Sequence, residues 1–378
     1  MEQQLLLACA QGYVEEVQKL LKNKQLNPNY DGSGATPFFF SCQNGHIEIV
    51  KLLLNDERVD INKPPNGGLT PFYVACQERH FEIVKLLLND KRVNINKAQN
   101  DGTTPFSIAC QFGYIEIVKL LLNNERVDVN QANKKEATPF WITCYQGHIE
   151  VVRLLLNDKR VDINKARNDG VTPFFISCQE GHIEIVKLLL NDERVDVNKA
   201  MSDGATPLYI ACEFGYIEIV KLLLNDERVD INKAMNNGET PFYIACQNGH
   251  IEIVKLLLNN ERVDINKAKN DGATPFWIVC QNGHIEVVKL LLNVEKVDPN
   301  KTYKEEITPF YFSCQEGQIE IVKLLLSDER VDVNKGRSNG WTPFYIACER
   351  GHIEIVLLLL EAPRGNFICF CFFQQKNQ

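Results

Sequence analysis

The sequence has no long apolar run. Although 44% of its 378 residues are hydrophobic, no stretch approaches the roughly 20 consecutive apolar residues that span a bilayer as a helix. It also has no surplus of positive charge. The formal net charge is −8, and binding a phosphate backbone needs Lys and Arg in excess on one face, so nucleic acid is not expected as a ligand. The beginning, Met1-Glu-Gln-Gln-Leu-Leu-Leu-Ala-Cys9, carries an acid and only a short apolar run, unlike a signal peptide. No glycine-rich phosphate loop and no Walker-type lysine occurs, and no cofactor is expected. Cysteine is not scarce: there are thirteen. In a short secreted chain they would suggest a disulfide framework, but in a long chain without an export signal they point to a reduced, cytoplasmic setting.

What the sequence does have is a period. Thr-Pro occurs at Thr36-Pro37 and then every 34 residues to Thr342-Pro343, ten times without an insertion. One unit reads NGETPFYIACQNGHIEIVKLLLNNERVDINKA from Asn237. Thr240 is a good helix N-cap, and Pro241 fits the first helical position, where its missing N–H costs nothing. The first helix, about Pro241 to Asn248, places Phe242, Ala245 and Cys246 on one face. Gly249 is placed to end it in the left-handed conformation. The second helix, about His250 to Asn259, is apolar over most of its circumference and is expected to have neighbours on several sides. A short extended piece and a polar glycine turn complete the unit. No unit can bury its own apolar faces, so the units must stack.

The pattern Gly-x-Thr-Pro-Phe, then Ala-Cys-x-x-Gly-His-x-Glu-Ile-Val-x-Leu-Leu-Leu and Val-Asp-Ile-Asn, resembles the ankyrin repeat over more than nine-tenths of the chain. That resemblance implies an all-α repeat solenoid of helix-turn-helix units joined by β-hairpin-like turns, a curved rod on the order of 100 Å long if units are stacked roughly 10 Å apart. The organisation expected is a capping repeat at 1–33, ten tandem repeats over 34–360 and a non-repeat apolar tail at 361–378, either a cap or the mark of a truncated form. Two departures stand out. Ankyrin units usually have 33 residues, and the extra one here falls in the link Asn259-Asn-Glu-Arg-Val263. The usual His three residues after Thr is replaced, mostly by an aromatic such as Tyr243 or Trp277, so its hydrogen bonding must be altered or lost.

Cys246 and His250 suggest chemistry when met alone. The cysteine, however, recurs at a core position from Cys9 and Cys42 to Cys348, where a free thiol behaves as a small hydrophobe. Disulfides between neighbours are not expected, since a rise of about 10 Å exceeds the roughly 7 Å limit on Cα separation. The histidine gives way to Tyr13, Tyr114, Tyr216 and Gln318. Structural zinc takes four ligands and each unit offers two at most, so no metal is expected. Nearly every candidate nucleophile, acid and base is multiplied along the chain, which argues against an enzyme, and the Thr-Pro pairs read as caps before phosphorylation sites.

Information then lies where units differ. By the same resemblance, the turn tips and the end of the first helix line a concave groove that binds protein partners. At the tips stand Met201, Met235, Tyr303 and Arg337, together with Lys134, Lys135 and Glu136. After the cysteines stand Phe112, Tyr145, Phe214 and Arg350, and Trp341 precedes Thr342. Aromatics, Met and Arg are the usual anchors of interfaces. Lys134-Lys-Glu136 and Lys304-Glu-Glu306 lack the turn glycine and should change the turn, because Glu resists positive φ. Arg79 replaces the helix-ending glycine, which predicts strain or a rearranged link. The function expected is a monomeric, non-enzymatic adaptor. The alternatives are the targeting region of a larger enzyme, channel or ligase, or a spacer without a specific ligand.

Overall fold

The computed structural model describes residues 1–32, 34–65 and 68–364. The apolar tail expected as a cap or as the mark of a truncated form lies, from residue 365 on, outside the described residues. Two compact units are formed, Met1–Ser202 and Asp203–Gln378. In both, short helices come in pairs, 22 among the described residues. Each unit is a stack of helix-turn-helix repeats, so the whole is an all-α repeat solenoid. Hairpin-like turns join the repeats, but among the described residues only Tyr303 and Ile307 form a β-bridge.

Caps define the helices. Thr240 Oγ1 accepts a hydrogen bond from the Tyr243 amide at 3.1 Å, and Pro241 opens the helix Pro241–Gln247. The nine other Thr-Pro pairs make the same cap. Gly249 (φ 69°) turns the chain, and Ile251–Leu258 follows. Helices of seven to nine residues have little stability alone, so packing must hold them. The distribution of burial differs from the periodicity. It is the first helix that is enclosed: Pro241, Phe242, Tyr243, Ile244, Ala245 and Cys246 are all buried. The second helix buries only Ile253, Val254 and Leu257, while Ile251, Leu256 and Leu258 are half-buried. Within each unit, an inner first helix packs between the first helices of the repeats on either side, whereas second helices form an outer layer. That layer carries i,i+3 pairs such as Lys255–Glu252 at 2.7 Å, whose side chains are about half exposed and contribute little.

Polar side chains tie each repeat to the backbone of the next. Asn130 Nδ2 donates to the Arg160 carbonyl at 2.6 Å, and Asn130 Oδ1 accepts from the Asp162 amide at 2.8 Å. Asn62, Asn96, Asn164, Asn232, Asn266 and Asn300 repeat this two-pronged contact. The lengthened link also has a task. Arg160, fixed by a 2.6 Å ion pair with Asp158, reaches back to the Leu122 carbonyl at 2.6 Å, capping the C-terminal end of the preceding second helix. Arg92 does the same at Leu54 and Arg194 at Leu156.

Candidate functional site

The Cys–His pair is structural in both halves. Cys42 to Cys314 are buried, as is Cys9; Cys348 is exposed. Burial pushes the Cys110 and Cys144 thiols up to about 12 and Cys246 well above its ordinary value. These groups stay protonated at neutral pH, and only the thiolate is nucleophilic. The histidine ring N–H donates to a carbonyl of the preceding repeat: His80 to Gln43 at 2.8 Å, His148 to Gln111 at 2.9 Å and His284 to Gln247 at 2.9 Å. The imidazole lies over the preceding repeat's glycine. A Cβ on Gly113 would sit 2.7 Å from His148 Nδ1, and one on Gly147 2.7 Å from His182 Cε1.

The side chains that vary between repeats separate into two groups at opposite ends of the first helix, roughly 10 Å apart for seven residues. The turn end of the first unit holds Lys134 and Lys135, both exposed, with Glu136 and Met201 half-buried. Glu136 takes φ 60° and keeps the turn that glycine makes elsewhere, its amide donating to Asn133 O at 2.8 Å as Gly102 donates to Gln99 O at 3.0 Å. The expected change of turn is therefore absent here; the backbone carries the strain instead. At Lys304-Glu-Glu306 the turn does change. Glu305 (φ 54°) and Glu306 (φ 64°) are both left-handed, and Tyr303 and Ile307 exchange two 2.9 Å backbone bonds. Tyr303 is not a free anchor, because its ring packs 4.4 Å from that of Trp277. Arg337 is likewise engaged, paired with Glu305 and lying over the Tyr311 ring at 5.9 Å. Met235 is half-buried, and Trp341 is exposed against Tyr345 at 5.0 Å.

At the link end, Phe112 (46% exposed) stacks on Tyr114 at 5.5 Å, and Phe214 (52%) stacks on Tyr216 at 5.9 Å. Arg350 is exposed, its nearest carboxylate Glu349 at 3.7 Å. Tyr145 (43%) is different: it stacks on Trp141 at 5.5 Å, whose other neighbour is the Arg167 guanidinium at 4.8 Å. This stack runs from the end of the first helix towards the turns. Arg79 has φ 62° but does not rearrange its link. His80 donates to Ala75 O at 2.9 Å and Phe81 to Arg79 O at 3.0 Å, as in repeats with glycine.

Of the aromatic residues that replace the usual His, Trp141 and Tyr209 find other partners. Trp141 Nε1 donates to Val171 O at 3.0 Å, and Tyr209 Oη donates to Glu239 at 2.9 Å. Glu239 is buried and also accepts from Lys269 at 2.9 Å. Burial opposes its charge, but the bonds from Lys269, Tyr209 and Asn237, with the Lys269 charge, together outweigh burial and hold the carboxyl below its usual range. Nearby Glu213 is raised, by burial and by the Glu239 charge. Trp277 Nε1 and Tyr311 Oη find no hydrogen-bond partner among the described residues. Sequence reasoning missed Arg167, Trp141, Glu239 and Lys269. Glu239 could have been found, since small or apolar residues such as Ala205, Ala273 and Val171 hold that position in other repeats.

Among the described residues no helix is long and apolar enough to cross a membrane. Among curated proteins, none matches the chain significantly. A family model described as ankyrin repeats (3 copies) matches residues 5–99, 91–167, 159–235, 227–303 and 279–368. Those matches together span nearly the whole sequence and follow the helix pairs repeat by repeat: the chain belongs to the ankyrin-repeat family.

Proposed function

We propose that the chain is a non-enzymatic adaptor that binds protein partners through the side chains in which its repeats differ. Ankyrin repeats are generally protein-interaction modules and typically non-catalytic. The observation that carries the reading for this chain is the Arg167–Trp141–Tyr145 stack. An arginine and a large aromatic, held in place by packing and by the Trp141 hydrogen bond, present a half-exposed tyrosine without further ordering. That is the composition and rigidity of an interface anchor. The buried, unpaired thiols support a reducing compartment, and the chain acts as a monomer, to be checked by its mass in solution.

The test is affinity purification with the wild type, Tyr145→Ala and, as a control on the outer helical layer, Lys51→Ala. Partners should be lost with Tyr145→Ala and kept with Lys51→Ala. A spacer without a ligand would give the same list for all three, and that result would remove the adaptor reading.

A further inference from the structure

Four departures from the repeat consensus meet in one place in the first unit. Arg79 and Phe81 belong to one repeat, Phe112 and Tyr114 to the next. The Arg79 guanidinium lies over the Tyr114 ring at 5.5 Å, and Phe112 stacks on Tyr114 at 5.5 Å. Beside them is a cleft of about 240 Å³ lined by Arg79, Phe81, Tyr114, Glu116 and Ile117. This is at the link end of the helices, away from the turn tips.

Packing alone does not account for this cluster. The position of Arg79 is glycine in every other repeat, and that of Phe81 is Ile or, in the first repeat, Val14. Tyr114 stands where most repeats have the histidine that would occupy the space over the preceding glycine, so Arg79 can exist only beside a repeat without that histidine. Loss of the histidine does not, however, call for an arginine. Gly283 precedes Gln318 rather than a histidine, a Cβ there would meet nothing within 4 Å, and it is still glycine. The aromatic pair does not call for it either, since Phe214 and Tyr216 follow a repeat with Gly181 and Ile183. Arg79 holds a left-handed backbone (φ 62°) that disfavours any side chain with a Cβ. It is exposed and forms no ion pair among the described residues, while the cleft's Glu116 is held by Lys119 at 2.9 Å.

We propose that this cleft docks a peptide segment of a partner protein that presents a carboxylate beside an apolar side chain. Arg79, stacked on Tyr114, keeps the N–H edge of its guanidinium for the carboxylate, the geometry in which arginine pairs in bidentate fashion. The cleft, bounded by Phe81, Tyr114 and Ile117, is smaller than the roughly 300–1,000 Å³ of small-molecule sites and suits one apolar side chain of a larger ligand. The proposal rests on the protein-binding reading but uses none of the Arg167–Trp141–Tyr145 stack.

The probe is the peptide acetyl-Gly-Glu-Phe-Glu-Gly-amide, compared with its Gln-for-Glu analogue by ligand-observed NMR titration. The wild type should bind the Glu peptide about tenfold more tightly, the size of one charge-assisted hydrogen bond. Arg79→Gly restores the consensus residue and relieves the backbone, so it will fold; it should erase that preference. Tyr145→Ala should leave it unchanged. Equal binding of the two peptides, binding of neither, or a preference that survives Arg79→Gly would overturn the cleft. Partners lost with Tyr145→Ala alongside any of those results would leave the adaptor reading standing without it.

Discussion

A glycine of one repeat and a histidine of the next share one small volume, and this pairing sets how the residues between helices can change. Gly147 (φ 78°) faces His182, which donates to Tyr145 O at 2.9 Å, whereas Gly283 (φ 75°) faces open space. Alanine at both positions separates two costs. Gly283→Ala should lose about 1–2 kcal/mol, the left-handed backbone alone. Gly147→Ala should lose about 2–3 kcal/mol, because the Cβ also displaces His182 from its carbonyl. Urea denaturation midpoints measure both, and equal losses would mean that the histidine contact has no energetic weight. In the other direction, Arg79→Gly should stabilise the protein by about 0.5–1 kcal/mol in the same assay, since glycine adopts positive φ freely.

Among the elements, side chains that grip a neighbouring repeat's backbone carry much of the order between helices. Asn130→Ala removes two hydrogen bonds to the following repeat and should cost about 1–2 kcal/mol, read from the thermal midpoint. The Asp–Arg links add a dependence on pH. The hydrogen bond from Arg160 holds the Asp158 carboxyl below its usual range, and Asp56, Asp90, Asp226 and Asp328 are lowered by Arg58, Arg92, Arg228 and Arg330 in the same way. A depressed folded-state value means that the stabilisation is complete above the unfolded value of about 3.9 and is lost as pH falls through the lower folded value. Thermal midpoints should therefore drop as pH falls below about 4, and Asp158→Asn should lessen that drop while lowering the midpoint at pH 7.

At the scale of each of the two units, a helix packs mainly on its own repeat and the repeats beside it within that unit. Within Met1–Ser202, hydrogen exchange after Gly147→Ala should quicken most in the helices Pro139–Gln146 and Pro173–Gln179 and least in Glu2–Gln11, as nearest-neighbour coupling requires. A uniform change would mean a single cooperative block. The fold was legible in the sequence because its period, threonine caps and glycine turns are local backbone signals. Less legible was which helix is enclosed: Ile251, Leu256 and Leu258 are as apolar as core residues yet lie half-buried, since enclosure depends on which neighbours a helix meets. The candidate site was legible as a set of unlike residues but not as a geometry. Nothing at Tyr145 announces Arg167, and nothing at Arg79 announces Tyr114, because the partners lie 22 and 35 residues away along the chain, beyond the reach of any local pattern.

The two-pronged asparagine contact has a consequence for how such an array can change. Because Asn130 grips only main-chain atoms of the repeat after it, it accepts any successor that keeps the link's backbone. Repeats joined in this way are exchangeable modules: one can be duplicated, deleted or grafted without rewriting its neighbours. Arg79 and Tyr114 are an exception, a lock and key of side chains across one seam. A module with arginine after its first helix accepts a successor with tyrosine before its second helix and refuses one with histidine there, so this seam has to be inherited as a pair.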